Sequence, residues 1–383
     1  MSWYPKKLPS HYLWEKGDRE SVVSVLNFLR KNPIALLLLA IPVVFFAELN
    51  HWDPILVFIL SALGVIPCAH FIGKSTEVLA HYTGPRIGGL LNATLGNAAE
   101  LIITIFAIRE NLLQLVKASL TGSILGNLLL VLGMSMVYGG IKNGVQSFNR
   151  QQASNNAILL ALVVVTLVLP SFFSHYIGPD DSVEVEILSL GVAAIMILLY
   201  VLGLIFSFKL HRGPLTPSSS EEHESVKHIG WSVRTGILAL LLSTAAVAYL
   251  SEVLVGAVEP VVTDLGISEF FLGIILIPLI GNVAEHLVSV QVAGQNKMDL
   301  SVEISVSSSL QIALFVAPVL VFVSLLMGNP LTLVFHEFEL IALIAGVMIA
   351  AMVSADGESN WLEGVELLAV YVILALVFFL LPV

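Results

Sequence analysis

Charge is what this 383-residue chain has least of: 12% of its residues are Asp, Glu, Lys or Arg, against about 25% in soluble globular domains. That shortage, with 57% hydrophobic residues and a mean hydropathy of +0.93, excludes a water-soluble domain and implies an integral membrane protein. The formal net charge of −11 does not argue otherwise, because the acids cluster between apolar runs. A single cysteine, Cys68, excludes an intrachain disulfide and reads as a small buried hydrophobe. The 17 Lys and Arg form no basic stripe, so nucleic acid is not a partner. No cluster of Cys or His points to zinc or copper, no cofactor is called for, and no nucleophile–base pair suggests an enzyme. The polar first ~20 residues lack the apolar core of a signal peptide.

What is present is apolar sequence in long runs. A helix needs about 20 mostly apolar residues to cross the hydrocarbon. Segments 33–50, 54–73, 87–108, 114–138, 154–174, 185–208, 232–255, 268–292, 302–326, 332–354 and 361–381 approach that length. They far exceed the ~10 residues of a barrel strand. The reading is an all-α integral membrane protein with about 11 transmembrane helices in contact with the lipid bilayer. With eleven spans, all but two of the 17 basic residues, Arg109 and Lys117, fall on one side. The positive-inside rule makes that side cytoplasmic, with the N-terminus there and the C-terminus opposite. Asp180, Asp181, Glu184, Glu259 and Asp264 then face outward.

Two acids break the apolar pattern. Glu100 ends Gly96-Asn97-Ala98-Ala99-Glu100, and Glu285 ends Gly281-Asn282-Val283-Ala284-Glu285. The spacing of 185 residues extends beyond the phrase: Gly88 matches Gly273, Asn111 matches Asn296, Ser123 matches Ser308 and Leu125 matches Leu310. Upstream, Glu77-Val78-Leu79 matches Glu252-Val253-Leu254 after an insertion in the second copy. Five spans separate the copies, an odd number, so they run in opposite directions. Two inverted-topology five-helix repeats plus one extra N-terminal helix is a recurrent plan for secondary transporters, which bind substrate near the midplane. The organisation expected is a cytoplasmic segment 1–32, the extra helix 33–53, a first repeat 54–208, a cytoplasmic linker 209–231 with a short acidic stretch, and a second repeat 232–383.

A carboxylate inside a span costs roughly 2.5–3.5 kcal/mol and marks a functional site by default. Asn97 with Glu100, and Asn282 with Glu285, are three residues apart and share a helix face. Gly96 and Gly281 permit close approach or an unwound turn whose carbonyls meet an ion. The set is one of hard oxygens, suited to Ca²⁺, which takes six to eight. A divalent ion neutralises both acids, and protons are the alternative occupant, since like charges in a low dielectric do not both stay ionised. Competition of that kind is the basis of antiport. Ser123, Ser308, Asn127 and Gln311 in the following spans offer further oxygens, although such groups also serve as interhelical hydrogen bonds.

Weaker candidates accompany these. His286 reads as a packed imidazole or a proton relay. Glu77 and Glu252 read as entry acids or as solvated interfacial groups. His336-Glu337-Phe338-Glu339 lacks the second histidine of a zinc-protease helix. A channel would more often use a ring of identical subunits.

At GGLLNATLGNAAEL, KASLTGSILGNLLLVLG, SEFFLGIILIPLIGNVAEH and KMDLSVEISVSSSLQIALFVAP the chain closely resembles the calcium/proton exchanger (CAX) family of the cation/Ca²⁺ exchanger superfamily. The resemblance spans roughly residues 60–383. It implies an eleven-span fold that exports Ca²⁺ from the cytoplasm for protons, with Glu100 and Glu285 binding the ion beside Asn97 and Asn282. The chain departs from the family pattern at its interhalf acidic helix, reduced to Glu221, Glu222 and Glu224, and at Ser307, where a Gly is usual. A sodium-driven Ca²⁺ exchanger or a Mn²⁺/H⁺ antiporter of the same fold is the alternative. Short loops point to a prokaryotic plasma membrane, and homo-oligomerisation is left open.

Overall fold

The computed structural model describes residues 33–180, 182–210 and 231–381. The segment 1–32 and the acids Glu221, Glu222 and Glu224 lie outside the described residues. A 3₁₀ stretch, Pro33–Leu39, leads into α1 (Ala40–Leu49). The chain continues through α2 (Pro54–Thr83), α3 (Pro85–Leu95), α4 (Ala98–Arg109), α5 (Leu113–Leu125) and α6 (Leu132–Asn143). Next come β1 (Gln146–Ser147), α7 (Arg150–Ile177) and α8 (Val183–Leu210). The later part holds α9 (Val233–Gly256), α10 (Val258–Leu265), α11 (Glu269–Phe271), α12 (Ile277–Gly281), α13 (Val283–Ala293), α14 (Met298–Gln311) and α15 (Ala317–Met327). It closes with α16 (Glu337–Val353), β2 (Glu358–Ser359) and α17 (Trp361–Leu380). Helix starts follow local chemistry. The Asp53 carboxylate accepts from the N–H groups of Ile55 and Leu56 at 2.9 and 3.2 Å, with Pro54 at the first helical position, so α2 begins there.

The molecule is mostly helical. Among the described residues seven helices, some continuous across a π turn, are long and apolar enough to cross a membrane, and an eighth is added if Glu269–Gly281 and Val283–Ala293, bent by 62°, count as one. The expected segments 33–50, 87–108 and 332–354 coincide with a short helix, an interrupted pair and a 17-residue helix. The last difference has a clear cause. Residues 331–335 are buried but not helical, and serine hydroxyls replace the helix ladder: the N–H groups of Leu331, Leu333 and Phe335 donate to Ser324, Ser189 and Ser171 at 2.8, 3.0 and 2.9 Å. Irregular backbone at membrane depth is tolerated where protein satisfies it in this way.

Backbone features recur at the 185-residue spacing. A π turn at Gly126–Val131 has its counterpart at Ile312–Val316. Asn111 and Asn296 both adopt positive φ, 60° and 63°, at the tight turns after α4 and α13. The Ile108 carbonyl at the end of α4 accepts from Asn329, and the Ala293 carbonyl at the end of α13 accepts from Asn143 and Gln146.

The interior is built around α5, α6, α14 and the π turns, where Leu128, Leu129, Leu132, Met136, Leu310 and Ala313 are buried. Two glycines let the two parts of the chain cross at backbone contact. A Cβ at Gly122 would collide with the Ile274 carbonyl, and one at Gly273 would lie 2.8 Å from the Leu115 carbonyl. Helix α9 packs along α2, with the Leu250 side chain seated over Gly64. Exposed Leu, Ile, Val and Phe side chains cover α7, α8, α9 and α17, the surface that meets lipid in a membrane protein.

Candidate cation site

Both Gly-Asn-x-Ala-Glu phrases sit at helix interruptions. Asn97 (φ −97°, ψ 25°) separates α3 from α4, and Asn282 (φ −98°, ψ 3°) separates α12 from α13. Glycine followed by asparagine favours such a break, since neither holds a helix well and both tolerate irregular backbone. Each glutamate then lies in the first turn of the following helix, and broken helices of this type expose backbone groups to an ion.

The two interruptions face each other. A Cβ on Gly281 would lie 2.8 Å from Glu100 Oε1, and one on Gly96 would lie 3.7 Å from Glu285 Oε1. Each glutamate therefore covers the glycine of the opposite phrase, and the carboxylates are within electrostatic reach of each other. The absence of a side chain at 281 is what makes room for Glu100, while at Gly96 a Cβ would meet the Asn92 carbonyl at 2.7 Å before it met Glu285.

Polar partners complete the layer. The Asn97 amide donates to Gln311 Oε1 at 2.8 Å, and the Gln311 amide donates to Ser307 Oγ at 3.2 Å. The Asn282 amide donates to Ser123 Oγ and to the Pro278 carbonyl, both at 3.2 Å. Ser308 Oγ donates to Glu285 Oε2 at 2.6 Å. Glu100, Asn97, Asn282, Ser123, Ser308 and Gln311 are all buried, Glu100 with 4% of its surface exposed, while Glu285 is partly exposed. Two buried acceptors of this layer, Glu100 Oε1 and Asn97 Oδ1, have no hydrogen-bond partner among the described residues. A buried acceptor without a donor is costly, and here both belong to a set of oxygens that a hard cation would satisfy.

Of the residues singled out in the sequence, the structure brings Glu100, Glu285, Asn97, Asn282, Gly96, Gly281, Ser123, Ser308 and Gln311 into this layer. Asn127 is buried in the π turn, but its amide nitrogen is unpartnered and no hydrogen bond ties it to the others. His286 is buried on α13, next to Glu285 in sequence. Glu252 lies on α9, where Arg109 Nη2 meets it at 2.6 Å. Glu339 is a fully buried acid with a capping role: its Oε2 accepts from the His336 N–H at 2.8 Å and its Oε1 from Thr121 Oγ1 at 3.1 Å. Sequence reading gave Ser307 and Gly122 no place at the site, although Ser307 steers Gln311 and Gly122 sets the helix crossing beside Ser123. Among the described residues no three His, Cys, Asp or Glu groups converge, so any metal here draws on amide, hydroxyl and backbone oxygens besides the two acids.

Comparison with known proteins agrees with this architecture. A model of the family described as "Sodium/calcium exchanger protein" matches residues 54–209 and 235–380. The chain is 44% identical over 353 residues to the Ca(2+)/H(+) antiporter ChaA of Bacillus subtilis, covering 91% of this chain and all of that one. It is 43% identical to a Ca(2+)/H(+) antiporter of Aphanothece halophytica, over 93% of this chain and 98% of the relative. The solved structure of native YfkE superposes with a TM-score of 0.79 at 42% identity, covering 91% of this chain and all of that one.

Proposed function

The chain belongs to the sodium/calcium exchanger protein family, and from that membership we propose that it exchanges Ca²⁺ for H⁺ across a membrane. The relatives named Ca(2+)/H(+) antiporters, matched over nearly their whole length, support the ion pair exchanged. The finer reading is an exporter that moves Ca²⁺ out of the cytoplasm by alternating access, through eleven spans arranged as two inverted repeats and one extra helix. The π turns, left-handed asparagines and capped carbonyls that recur 185 residues apart support the repeat.

One observation carries the site assignment: each glutamate lies over the glycine of the opposite phrase. On this reading Ca²⁺ lies between Glu100 and Glu285, with Asn97 Oδ1 and neighbouring backbone oxygens filling its shell. The ion neutralises both carboxylates. When it leaves, two adjacent like charges in a low dielectric are unfavourable, so protons replace it. Both loaded forms are electrically tolerable and the empty form is not, which couples the two fluxes. Gln311 and Ser307 act as positioning groups: the Gln311 carbonyl holds the Asn97 amide so that its oxygen turns inward.

Everted vesicles from cells that make the protein test this. An imposed acid interior should drive Ca²⁺ uptake without Na⁺. Uptake that needs Na⁺ and ignores the pH gradient would place the chain with sodium-driven exchangers instead. The orientation expected puts the α4–α5 turn outside and the α13–α14 turn in the cytoplasm, in a bacterial plasma membrane.

A further inference from the structure

Helix α13 carries Glu285 in its first turn and starts at the Asn282 interruption, where the chain bends by 62°. The hydrogen-bond ladder of the preceding helix therefore does not by itself fix where α13 lies. Polar contacts do so at three successive levels. At its start Ser308 Oγ donates to Glu285 Oε2 at 2.6 Å. At its end the Ala293 carbonyl accepts from the amides of Asn143 and Gln146 at 3.2 and 3.0 Å. Between them lies Ser289, one turn on from Glu285 and on the same helix face.

Ser289 Oγ is enclosed by oxygen. Ser301 Oγ lies 2.9 Å away, Ser305 Oγ and Ser135 Oγ each 3.2 Å, and the Ser301 carbonyl 3.2 Å. All four serines are buried, none more than 1% exposed. A hydroxyl donates once and accepts twice, so four neighbours exceed what Ser289 can use, and it stays bonded if one turns away. Ser301 and Ser305 belong to α14 and Ser135 to α6. Ser305 stands one turn before Ser308, so the Ser289 cluster and the Glu285–Ser308 bond are consecutive rungs between the same two helices.

Among the described residues the first half has no such rung. In the 185-residue register the counterparts of Ser289, Ser301, Ser305 and Ser135 are Thr104, Val116, Leu120 and Leu320. Three of these are apolar. The Thr104 hydroxyl donates to the carbonyls of Glu100 and Leu101 on its own helix, at 2.7 and 3.1 Å.

We infer that Ser289 is a positioning residue for Ca²⁺ binding: its cluster with Ser135, Ser301 and Ser305 holds α13 on α14 and α6, and so keeps Glu285 in reach of Ser308 and of the ion. The inference rests on the proposed binding of Ca²⁺ at Glu285. A hydrogen bond as short as 2.6 Å tolerates little displacement. A second attachment one turn away, on the same face, is what stops a short helix from rolling about its axis. Ser289 acts through the Glu285–Ser308 bond.

Equilibrium Ca²⁺ binding to the purified full-length protein tests this, in a double-mutant cycle of Ser289→Ala and Ser308→Ala. Ser289→Ala should weaken binding about three- to tenfold, and Ser308→Ala about tenfold. Because both act on one bond, the double variant should stay within about twofold of Ser308→Ala alone, whereas a merely structural serine would multiply the two effects. Thr104→Ala, at the matching position of the first half, should stay within about twofold of wild type. Unchanged binding in Ser289→Ala, multiplied effects in the double variant, or a loss in Thr104→Ala as large as in Ser289→Ala would overturn the assignment. If Ser289→Ala does not fold, Ser301→Ala, which removes one hydroxyl and leaves the carbonyl, takes its place in the cycle with an expected loss of about two- to threefold. Ca²⁺ binding by wild type that is lost in Glu285→Gln keeps the site reading standing whatever the serine variants do. A wild type that binds no Ca²⁺ sinks that reading separately.

Discussion

The two halves carry the same five-residue phrase and hold its glutamate in different ways. In the second half Glu285 is fixed by a 2.6 Å hydrogen bond from Ser308 and remains partly exposed. In the first half Glu100 is buried, with one carboxylate oxygen unpartnered. Its matching serine, Ser123, serves instead as acceptor for the Asn282 amide. The asparagines differ as well: Asn97 reaches across to Gln311, while Asn282 divides its amide between Ser123 and its own helix. Near-identical local sequence therefore yields one carboxylate tied to a serine of its own half and one with an oxygen left without a partner. The contrast teaches that the repeated phrase supplies the oxygens, and the side chains packed against each copy assign them roles.

The strongest way to break the comparison is to remove each charge in turn. Glu100→Gln and Glu285→Gln should each reduce ΔpH-driven Ca²⁺ uptake to background while the purified protein keeps its elution profile. If only one half mattered, one of the two variants would still transport. The helix crossing comes next. Gly122→Ala drives a methyl into the Ile274 backbone and should destabilise the protein by about 1–3 kcal/mol or more, read by thermal unfolding in detergent. Gly126→Ala, four residues on with open space around it, should change the midpoint little. The serines sharpen the comparison. Ser308→Ala removes a hydrogen bond to a carboxylate and should raise the KM for Ca²⁺ about tenfold. Ser123→Ala removes a bond between neutral groups, so a change of about threefold or less is expected. Equal effects would mean that the two halves hold their glutamates alike.

Much of this was readable in the sequence, for physical reasons. Long apolar runs can only be helices in lipid, so helical membrane character followed from composition. Glu100 and Glu285 stood out because a charge in such a run is expensive, and Gly96 and Gly281 because a glycine beside it signals close approach. The start of α16 was not readable. Thr332, Leu333, Val334 and Phe335 are as apolar as any helix, and only the hydroxyls of Ser171, Ser189 and Ser324, distant in sequence, make an extended path there tolerable. The pairing of Glu252 with Arg109 was hidden for the same reason: 143 positions separate them. Glu339 stood in a rejected motif, and its role depends on His336 and Thr121. Asn127 reads as an oxygen donor from its register alone, and among the described residues no hydrogen bond ties its amide nitrogen to the others.

The central claim, that one cation and its replacing protons share the two carboxylates, is tested most directly by binding without transport. Ca²⁺ added to the detergent-solubilised protein in weakly buffered solution should release protons as it binds, and both binding and release should vanish in Glu100→Gln and in Glu285→Gln alike. Binding without proton release, or full binding retained by either variant, would contradict it.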